Sequence, residues 1–352
     1  MKQLDYIVVG LGIAGISFCE QLQKNDKRFI VIDSGEDGST AKSGGVFNPT
    51  VLKRFTAAWN AAAFFPVAKK FYGTISENLE SHILQETPVL RIFKCVEEQN
   101  NWSVATDKRE LQNFLSSEFL KNSNSAIEAP FGFGEVLGTG QIKTKKLLSG
   151  YREFLNAQDV LLSETFQYEL LQQKESKVFY KDFSASKIIF AEGAKVVENP
   201  FFPKHAIVGN KGEYVIIKAP DLNLEALLKG PVYVIPMGND IYKVGATYSR
   251  DDYSLNPTES AKDEILSKLK TCINYSFEVV GQTAGVRPTT RDHRPLLGAW
   301  EEHSNLVFFN GLGSRGFLMA PLLAVILYKH LEDDVPLLKE MNIKRARTWK
   351  KI

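Results

Sequence analysis

The sequence predicts an α/β fold with a parallel sheet, joined to a second region that is rich in antiparallel strands. Apolar runs at residues 6–9 and 29–32 flank a glycine-rich turn and a helical segment over residues 13–24, which is the pattern of a β-α-β unit. Beyond residue 75, short runs of β-forming residues alternate with polar spans. At 352 residues the chain exceeds one ordinary core, so two lobes are expected.

Composition and charge narrow the class of protein. Hydrophobic residues make up 44% and charged residues 24%, which is typical of a soluble globular protein. The 43 basic and 41 acidic side chains nearly balance, so no polyanionic partner is required. The three cysteines lack metal-ligand spacing, which predicts no metal site and a reducing, cytoplasmic location. The first strand begins too near Met1 for a signal peptide, and the apolar run at 316–327 is too short to cross a bilayer, so no membrane partner is expected.

The turn of the β-α-β unit reads Gly-Leu-Gly-Ile-Ala-Gly. Gly10 permits the tight turn, Gly12 lets a ligand pyrophosphate approach the backbone, and Gly15 lets the helix pack closely on the strand. Ile13 and Ala14 begin a helix whose free N–H groups and positive dipole end attract phosphate.

An acidic residue, Asp33, ends the second predicted strand. A carboxylate at this point accepts hydrogen bonds from ribose hydroxyls and disfavours a 2′-phosphate, which makes NADP a poor ligand. The two strands, the glycines and the acid together predict a site for an adenine dinucleotide. The alternative is a glycine-rich turn in an unrelated α/β protein.

Further segments follow this unit. The stretch 41–49 carries two adjacent glycines, which permit close approach of the backbone to a ligand, although a simple connecting loop is the alternative. Amphipathic helices are expected over 51–72 and 145–156. A strand at 187–190 runs into a turn of small residues, which suits a strand end beside a dinucleotide.

Two conspicuous segments lie near the C-terminus. One reads Gly-Val-Arg-Pro-Thr-Thr-Arg-Asp-His-Arg-Pro-Leu-Leu-Gly and spans residues 285–298. The other is an apolar strand at 306–310, followed by Gly-Leu-Gly-Ser-Arg-Gly and the apolar helix. A strand, a glycine-rich turn and a helix together form a second helix N-terminus that could face a ligand.

With these motifs in this order, the chain resembles the D-amino-acid oxidase superfamily of FAD-dependent oxidoreductases over essentially its whole length. The two C-terminal segments are more specific than the N-terminal glycine pattern, which many FAD and NAD proteins share. Within the superfamily, which includes glycine and sarcosine oxidases, the chain is most similar to the oxidase half of the bifunctional bacterial enzymes that modify the tRNA wobble uridine to methylaminomethyl-uridine. The methyltransferase half of those enzymes has no counterpart in this sequence.

The resemblance implies a Rossmann-like FAD-binding domain with a discontinuous antiparallel-sheet substrate domain. The FAD domain would consist of residues 1–75, 140–205 and 285–352, and the substrate domain of residues 76–139 and 206–284. FAD would be held non-covalently, because no cysteine or histidine matches the attachment sites found in some relatives.

By matched motif, the resemblance also assigns roles to individual segments. The pyrophosphate would lie at the first glycine turn and the ribose at Asp33, where the family more commonly has the longer glutamate. The isoalloxazine would pass along the second glycine-containing stretch, and backbone N–H groups of the last turn would face its N1–C2=O edge. The implied FAD-binding residues are Gly10, Gly12, Ile13, Ala14, Gly15, Asp33, Ser34, Lys42, Ser43, Gly44, Gly45, Val46, Gly193, Ala194, Gly311, Gly313, Ser314, Arg315, Gly316 and Phe317.

Three residues are implied to face the substrate. Arg287 matches the arginine that clamps the substrate carboxylate in amino-acid-oxidising members, and a planar guanidinium suits that role; the alternative is a structural arginine within the loop. Tyr233 matches a substrate-facing tyrosine, and Tyr248 is a second candidate, with plain sheet packing as the alternative for both. His293 is a candidate base, against a hydrogen-bonded loop histidine.

The implied activity is oxidation of the C–N bond of a small amino acid or N-substituted glycine. Hydride would pass to flavin N5, the imine would hydrolyse, and dioxygen would reoxidise the flavin. The first alternative is a stand-alone tRNA wobble-uridine oxidase that removes a carboxymethyl group, with tRNA as partner. The second is a protein that binds FAD without turnover.

Overall fold

The computed structural model describes residues 1–174, 176–250 and 252–349. Within these ranges the α-helices are α1 (Ile13–Lys24), α2 (Ser39–Lys42), α3 (Ala61–Asn78), α4 (Val96–Thr106), α5 (Thr144–Ala157), α6 (Glu259–Leu269) and α7 (Gly316–Glu332).

The strands are β1 (Lys2–Val9), β2 (Phe29–Ile32), β3 (Val46–Phe47), β4 (Thr50–Val51), β5 (Thr56–Ala57), β6 (Leu84–Glu86), β7 (Val89–Ile92), β8 (Leu115–Leu120), β9 (Phe133–Val136), β10 (Gly140–Ile142) and β11 (Leu161–Leu162). They continue as β12 (Gln172–Lys174), β13 (Lys177–Tyr180), β14 (Phe183–Phe190), β15 (Val208–Lys218), β16 (Leu227–Lys229), β17 (Tyr233–Gly238), β18 (Ile241–Gly245), β19 (Ser249–Arg250), β20 (Glu278–Thr289), β21 (Leu296–Ala299) and β22 (Leu306–Asn310).

The first large sheet contains the predicted β-α-β unit. Its order is β11-β2-β1-β14-β13-β12, and β22 joins β14 while β21 pairs with β22. The pairs β1–β2, β1–β14, β2–β11 and β14–β22 are all parallel. Parallel strands need both faces covered, which explains the continuous apolar runs. Tyr6 and Val8 pack into the core formed with α1, α3 and α7, whereas Ile7 and Val9 face a second core on the other side.

The second large sheet is mostly antiparallel. Its order is β19-β15-β18-β17-β16-β7-β9-β8, with β20 also paired to β15, and only the β7–β16 pair is parallel. The long β15–β20 ladder brings Asn210 opposite Arg287. The fold class predicted from the sequence is confirmed; the division into domains at the residues given above stays a prediction.

Two local predictions differ from the structure. The helix expected over 51–72 begins only at Ala61, because β4 and β5 form a small hairpin before it and Asn60 caps the helix in the left-handed conformation. Helix α4 was not predicted. Most of its residues are polar and only Trp102 and Ala105 are buried, so its sequence has no apolar stripe at helical spacing.

Two further observations concern the environment of the chain. No helix within the described ranges is both long and apolar enough to span a bilayer. Cys19, Cys95 and Cys272 are all unpaired. The cytoplasmic location stays a prediction.

Candidate functional site

A large cavity of about 1080 Å³ is lined by residues of both large sheets. One part, here named the glycine-rich part, is lined by Gly10, Gly12, Asp33 and Gly193. The other, here named the arginine part, is lined by Lys229, Arg287, Arg315, Tyr214, Tyr233 and Tyr248. The volume exceeds the roughly 300–1,000 Å³ of drug-sized ligand pockets, so an extended ligand and a small second molecule fit together.

The first glycine turn is packed as its sequence predicts. Gly10 has φ +95°, and a Cβ there would lie 2.6 Å from the Ala191 carbonyl oxygen. A Cβ on Gly15 would lie 2.0 Å from the Gly10 carbonyl oxygen, so the helix can approach the strand this closely only because residue 15 is glycine. Ala14 lines the cavity within the first turn of α1, where amides have no partner inside the helix.

Asp33 joins the glycine turn to the end of β2. Its carboxylate accepts hydrogen bonds from the amides of Leu11 (2.8 Å) and Gly35 (2.9 Å) and forms an ion pair with Arg152. Arg152 comes from α5, so this partner was not visible from the β-α-β pattern. Ser34 lies beside Asp33 in the cavity lining.

The stretch from Ser43 to Val46 crosses the middle of the cavity. A Cβ on Gly44 would lie 2.3 Å from the Ile235 side chain, and Gly45 has φ +69° with its missing Cβ 2.1 Å from the Ile142 carbonyl oxygen. These contacts, in addition to the turn itself, explain the adjacent glycines.

Lys243 anchors the start of this stretch. Its ammonium donates to the carbonyl oxygens of Lys42 (2.7 Å) and Ser43 (2.8 Å) and lies 4.9 Å from the Tyr214 ring centroid. Burial, together with the charge of Lys42, lowers the pKa of Lys243 to about 8. A lysine of the antiparallel sheet thus holds a loop of the parallel-sheet region in place.

The turn after β14 closes the glycine-rich part. Gly193 and Ala194 line the cavity, and the space beside the missing Gly193 Cβ is open. Glu192 accepts hydrogen bonds from Tyr168 and from Asn199. Burial raises the pKa of Glu192 to about 7.

The last glycine turn brings the N-terminus of α7 to the cavity. Its residues Gly313, Ser314, Arg315, Gly316 and Phe317 are part of the lining. The Gly313 amide donates to the Pro288 carbonyl oxygen at 2.9 Å, so it is already engaged within the protein. Gly316 and Phe317, at the start of the helix, are the better placed N–H donors.

Arg287 lies on β20 in the arginine part. Among the described residues its guanidinium makes long hydrogen bonds to the Thr247 carbonyl oxygen (3.3 Å) and Asn210 Oδ1 (3.4 Å) and interacts with Tyr214, all of them neutral partners. Its Cζ stacks 4.4 Å from the centroid of the Tyr248 ring. A Cβ on Gly212 would lie 2.1 Å from the guanidinium, so this glycine makes room for the arginine.

The predicted tyrosines occupy different environments. Tyr233 accepts a hydrogen bond from Asn48 Nδ2 (3.2 Å), and burial raises its pKa to about 12. Tyr248 is 66% exposed and forms one wall of the cavity beneath Arg287.

Sequence reasoning missed two features of the arginine part. Tyr214 of β15 faces the Gly44 backbone and Arg287, and burial raises its pKa. Arg315 was assigned to the cofactor turn, but its Nη1 donates to the Thr50 carbonyl oxygen (3.3 Å) and its charge acts on Tyr233. Burial lowers the pKa of Arg315. For Tyr214 the only sequence signal was alternation along a strand, which does not identify a site.

Some predicted residues lie outside the cavity lining. Gly15 and Gly311 act in packing, and the Lys42 side chain pairs with Asp37. His293 is an exposed turn residue with φ +57°, so it is not positioned as a base. The neighbouring Asp292 pairs with Arg345, so the Arg-Asp-His motif ties the C-terminal segment to the turn.

The glycine-rich part suits FAD. Its glycine turn has no side chains at positions where a Cβ would clash with neighbouring backbone. A helix N-terminus and the Asp33 carboxylate lie on either side of this turn. The open space beside Gly193 belongs to the same cavity. Residues of this part would hold the adenine dinucleotide, and Ser43–Val46 and the N-terminus of α7 would border the flavin ring.

Comparisons with known proteins agree. The family model for FAD dependent oxidoreductases, DAO, matches residues 5–329. Glycine oxidase from Bacillus subtilis (strain 168) is 23% identical over 97% of this chain and 95% of that protein. A 207-residue stretch is 30% identical to the tRNA 5-methylaminomethyl-2-thiouridine biosynthesis bifunctional protein MnmC of Idiomarina loihiensis, covering 52% of this chain and 34% of that protein.

The fold is shared with solved structures as well. The crystal structure of glycine oxidase from Geobacillus kaustophilus superposes with a TM-score of 0.76 at 20% identity, over 96% of each chain. The predicted superfamily and the FAD cofactor are thereby confirmed. This chain belongs to the DAO family of FAD-dependent oxidoreductases.

Proposed function

We propose that this FAD-dependent oxidoreductase oxidises the C–N bond of a small amino acid or an N-substituted glycine. The observation that carries the proposal is Arg287, a guanidinium that lines the cavity and whose partners among the described residues are all neutral. A carboxylate can replace those partners with two parallel charge-assisted hydrogen bonds. Such a clamp fixes the orientation of the Cα–H and C–N bonds of an amino acid relative to the rest of the cavity.

FAD, when bound, supplies the hydride acceptor for this chemistry. The protein's contribution is to bind, orient and exclude water. Tyr233, held by Asn48, and Tyr214, held against Gly44, would fix the sides of the substrate pocket. The positive charges of Arg287 and Arg315 disfavour a protonated amine nearby, so a substrate amine would bind in the neutral form that hydride loss requires.

Dioxygen is the proposed acceptor of electrons from the reduced enzyme. We also propose non-covalent FAD, because no cysteine or histidine of the described residues lines the cavity. The cofactor should therefore be released by denaturation with its normal mobility in chromatography.

One observation favours a second candidate. The 30% identity with the tRNA-modifying bifunctional protein supports action on a carboxymethylaminomethyl-uridine in tRNA, with release of the carboxymethyl group as glyoxylate. Binding of tRNA rests on phosphate contacts, so that activity would fall steeply with salt, whereas oxidation of a free amino acid would not. An FAD-binding protein without turnover is the third candidate.

The test is an anaerobic absorbance titration of the FAD-loaded protein with glycine, sarcosine, proline, D-alanine and tRNA that carries the modified uridine. Bleaching of the oxidised flavin band by a free amino acid supports the proposal. Bleaching by tRNA alone supports the second candidate, and no bleaching by any of them contradicts both. The Arg287→Ala variant should lose the bleaching with retained FAD.

A further inference from the structure

The arginine part of the cavity has an excess of positive charge. Lys229, Arg287 and Arg315 all line it, and no Asp or Glu among the described residues does. Within the same described ranges, none of the three cations forms an ion pair with a carboxylate.

The glycine-rich part gives the opposite picture. Its lining contains Asp33, Glu36, Asp37, Glu164, Glu192 and Glu198. Asp33 pairs with Arg152, Glu36 with Lys195, and Asp37 with Lys42. The positive charge is therefore concentrated where a substrate would lie.

Arg315 is the second strong cation. It is half-buried, and among the described residues it makes one long hydrogen bond, from Nη1 to the Thr50 carbonyl oxygen at 3.3 Å. A guanidinium has five N–H donors, so most of its hydrogen-bonding capacity is unused by the protein contact. Lys229 also lines this part of the cavity; its ammonium lies 4.9 Å from the Tyr233 ring centroid and donates to the Gly230 carbonyl oxygen.

A single carboxylate does not balance this charge. An amino acid with a neutral amine brings one negative charge, which Arg287 takes up. Arg315 would then remain half-buried in the cavity without a counter-charge, which costs free energy unless an anion pairs with it.

We propose that Arg315 binds a second carboxylate of the substrate, so that this enzyme selects α-amino or N-carboxymethyl compounds with two carboxylates over glycine. This inference rests on the proposed function. Arg287 holds the carboxylate next to the oxidised carbon, and Arg315 holds the other.

The first test measures binding without turnover. FAD-loaded protein is titrated with malonate and succinate, and with the monocarboxylates acetate and propionate, by following the perturbation of the flavin spectrum. We expect the dicarboxylates to bind about tenfold or more tightly. In Arg315→Met the advantage should shrink to about twofold or less, with acetate binding nearly unchanged, and Arg315→Lys should retain part of it.

The matched control is Arg54→Met. Arg54 is exposed and does not line the cavity, although its neighbour Lys53 does. This variant should leave the preference for dicarboxylates unchanged. Equal affinity of the wild-type protein for the two classes of acid would overturn the inference. So would an Arg315→Met variant that weakens acetate and malonate equally. Because the wild-type comparison needs no variant, a misfolded Arg315→Met would not block the test.

The second test separates this inference from the proposed function. Anaerobic flavin reduction is measured with iminodiacetate and aspartate beside glycine and sarcosine. Arg315-dependent binding of malonate without reduction by any amine would contradict the proposed function and retain the anion site. Reduction by glycine with no advantage of dicarboxylates in either test would retain the function and overturn the anion site.

Discussion

The two parts of the cavity treat charge differently. In the glycine-rich part, Asp33 is matched with Arg152 and with two backbone amides within the protein itself. In the arginine part, the partners that the described residues offer to Arg287 and Arg315 are all neutral. The first part offers backbone groups to a ligand, and in the proposed function the charge of the second part is balanced by the substrate carboxylate.

This comparison makes Arg287 the position of largest expected effect. Arg287→Met should lower kcat/KM for the substrate by about 100- to 1,000-fold, because a charged clamp to a carboxylate contributes about 3–4 kcal/mol. Arg287→Lys, which keeps the charge but loses the planar fork, should recover part of the loss. The measurement is the second-order rate of anaerobic flavin reduction.

A control variant is Arg250→Met, an exposed arginine on the same sheet that does not line the cavity. It should react at the wild-type rate. If Arg287→Met reacted equally fast, the arginine part would not be the substrate site.

The second prediction concerns the glycine-rich part. In Gly15→Ala, the new Cβ would meet the Gly10 carbonyl oxygen at 2.0 Å, and backbone must move to admit it. A misplaced helix N-terminus should weaken FAD binding by about 100-fold, the equivalent of about 3 kcal/mol of strain. The ratio of flavin to protein absorbance, followed by FAD titration of the apoprotein, measures this. Circular dichroism should show that the variant still folds, and wild-type FAD affinity would contradict the proposed role of the close contact.

The same contrast explains which features the sequence predicts. The glycines at 10, 12 and 15 act within one local β-α-β unit, so their spacing is sufficient to place them. The parallel sheet follows from apolar runs that are buried on both faces. These signals need no knowledge of distant residues.

The arginine part depends on pairings that no local pattern contains. Arg287 lies opposite Asn210 because of the register in which β15 and β20 pair. Lys243 donates to the carbonyl oxygens of Lys42 and Ser43, which lie about 200 residues earlier in the sequence. Arg315 donates to the carbonyl oxygen of Thr50, which begins a small hairpin whose residues from 51 onward were predicted as helix. Motif matching identified the position of Arg315 in the last glycine turn, but it gave no information about which residues the side chain contacts.

A third prediction uses the contact between these two regions. Below about pH 8, Lys243 is charged in both the folded and the unfolded state. Burial of the charged ammonium then lowers the stability of the folded state. Between this pKa and the usual lysine pKa the unfolded state binds more protons, so stability rises with pH. The difference in unfolding free energy, wild type minus Lys243→Met, should therefore increase above pH 8 by up to about 1.4 kcal/mol per pH unit.

Thermal unfolding of the FAD-loaded proteins from pH 7 to pH 9.5 measures this difference. Lys108→Met, at an exposed lysine, should show no such slope relative to wild type. A difference between wild type and Lys243→Met that is flat or decreases with pH would mean that the ammonium is not buried as the structure has it.

The smallest expected effect tests why alanine is not tolerated at position 15. The cause is either the close packing at that position or a general effect of replacing a glycine within a helix. Gly73 lies inside α3, outside the cavity lining, and a Cβ there meets no atom within 4 Å. Alanine at this position should stabilise the protein by about 0.5–1 kcal/mol, because glycine in a helix costs backbone entropy. The thermal midpoint should rise by about 1–3 °C, with FAD binding unchanged. A loss of FAD in Gly73→Ala would show that helix glycines matter here for a reason other than the close contact at the first turn.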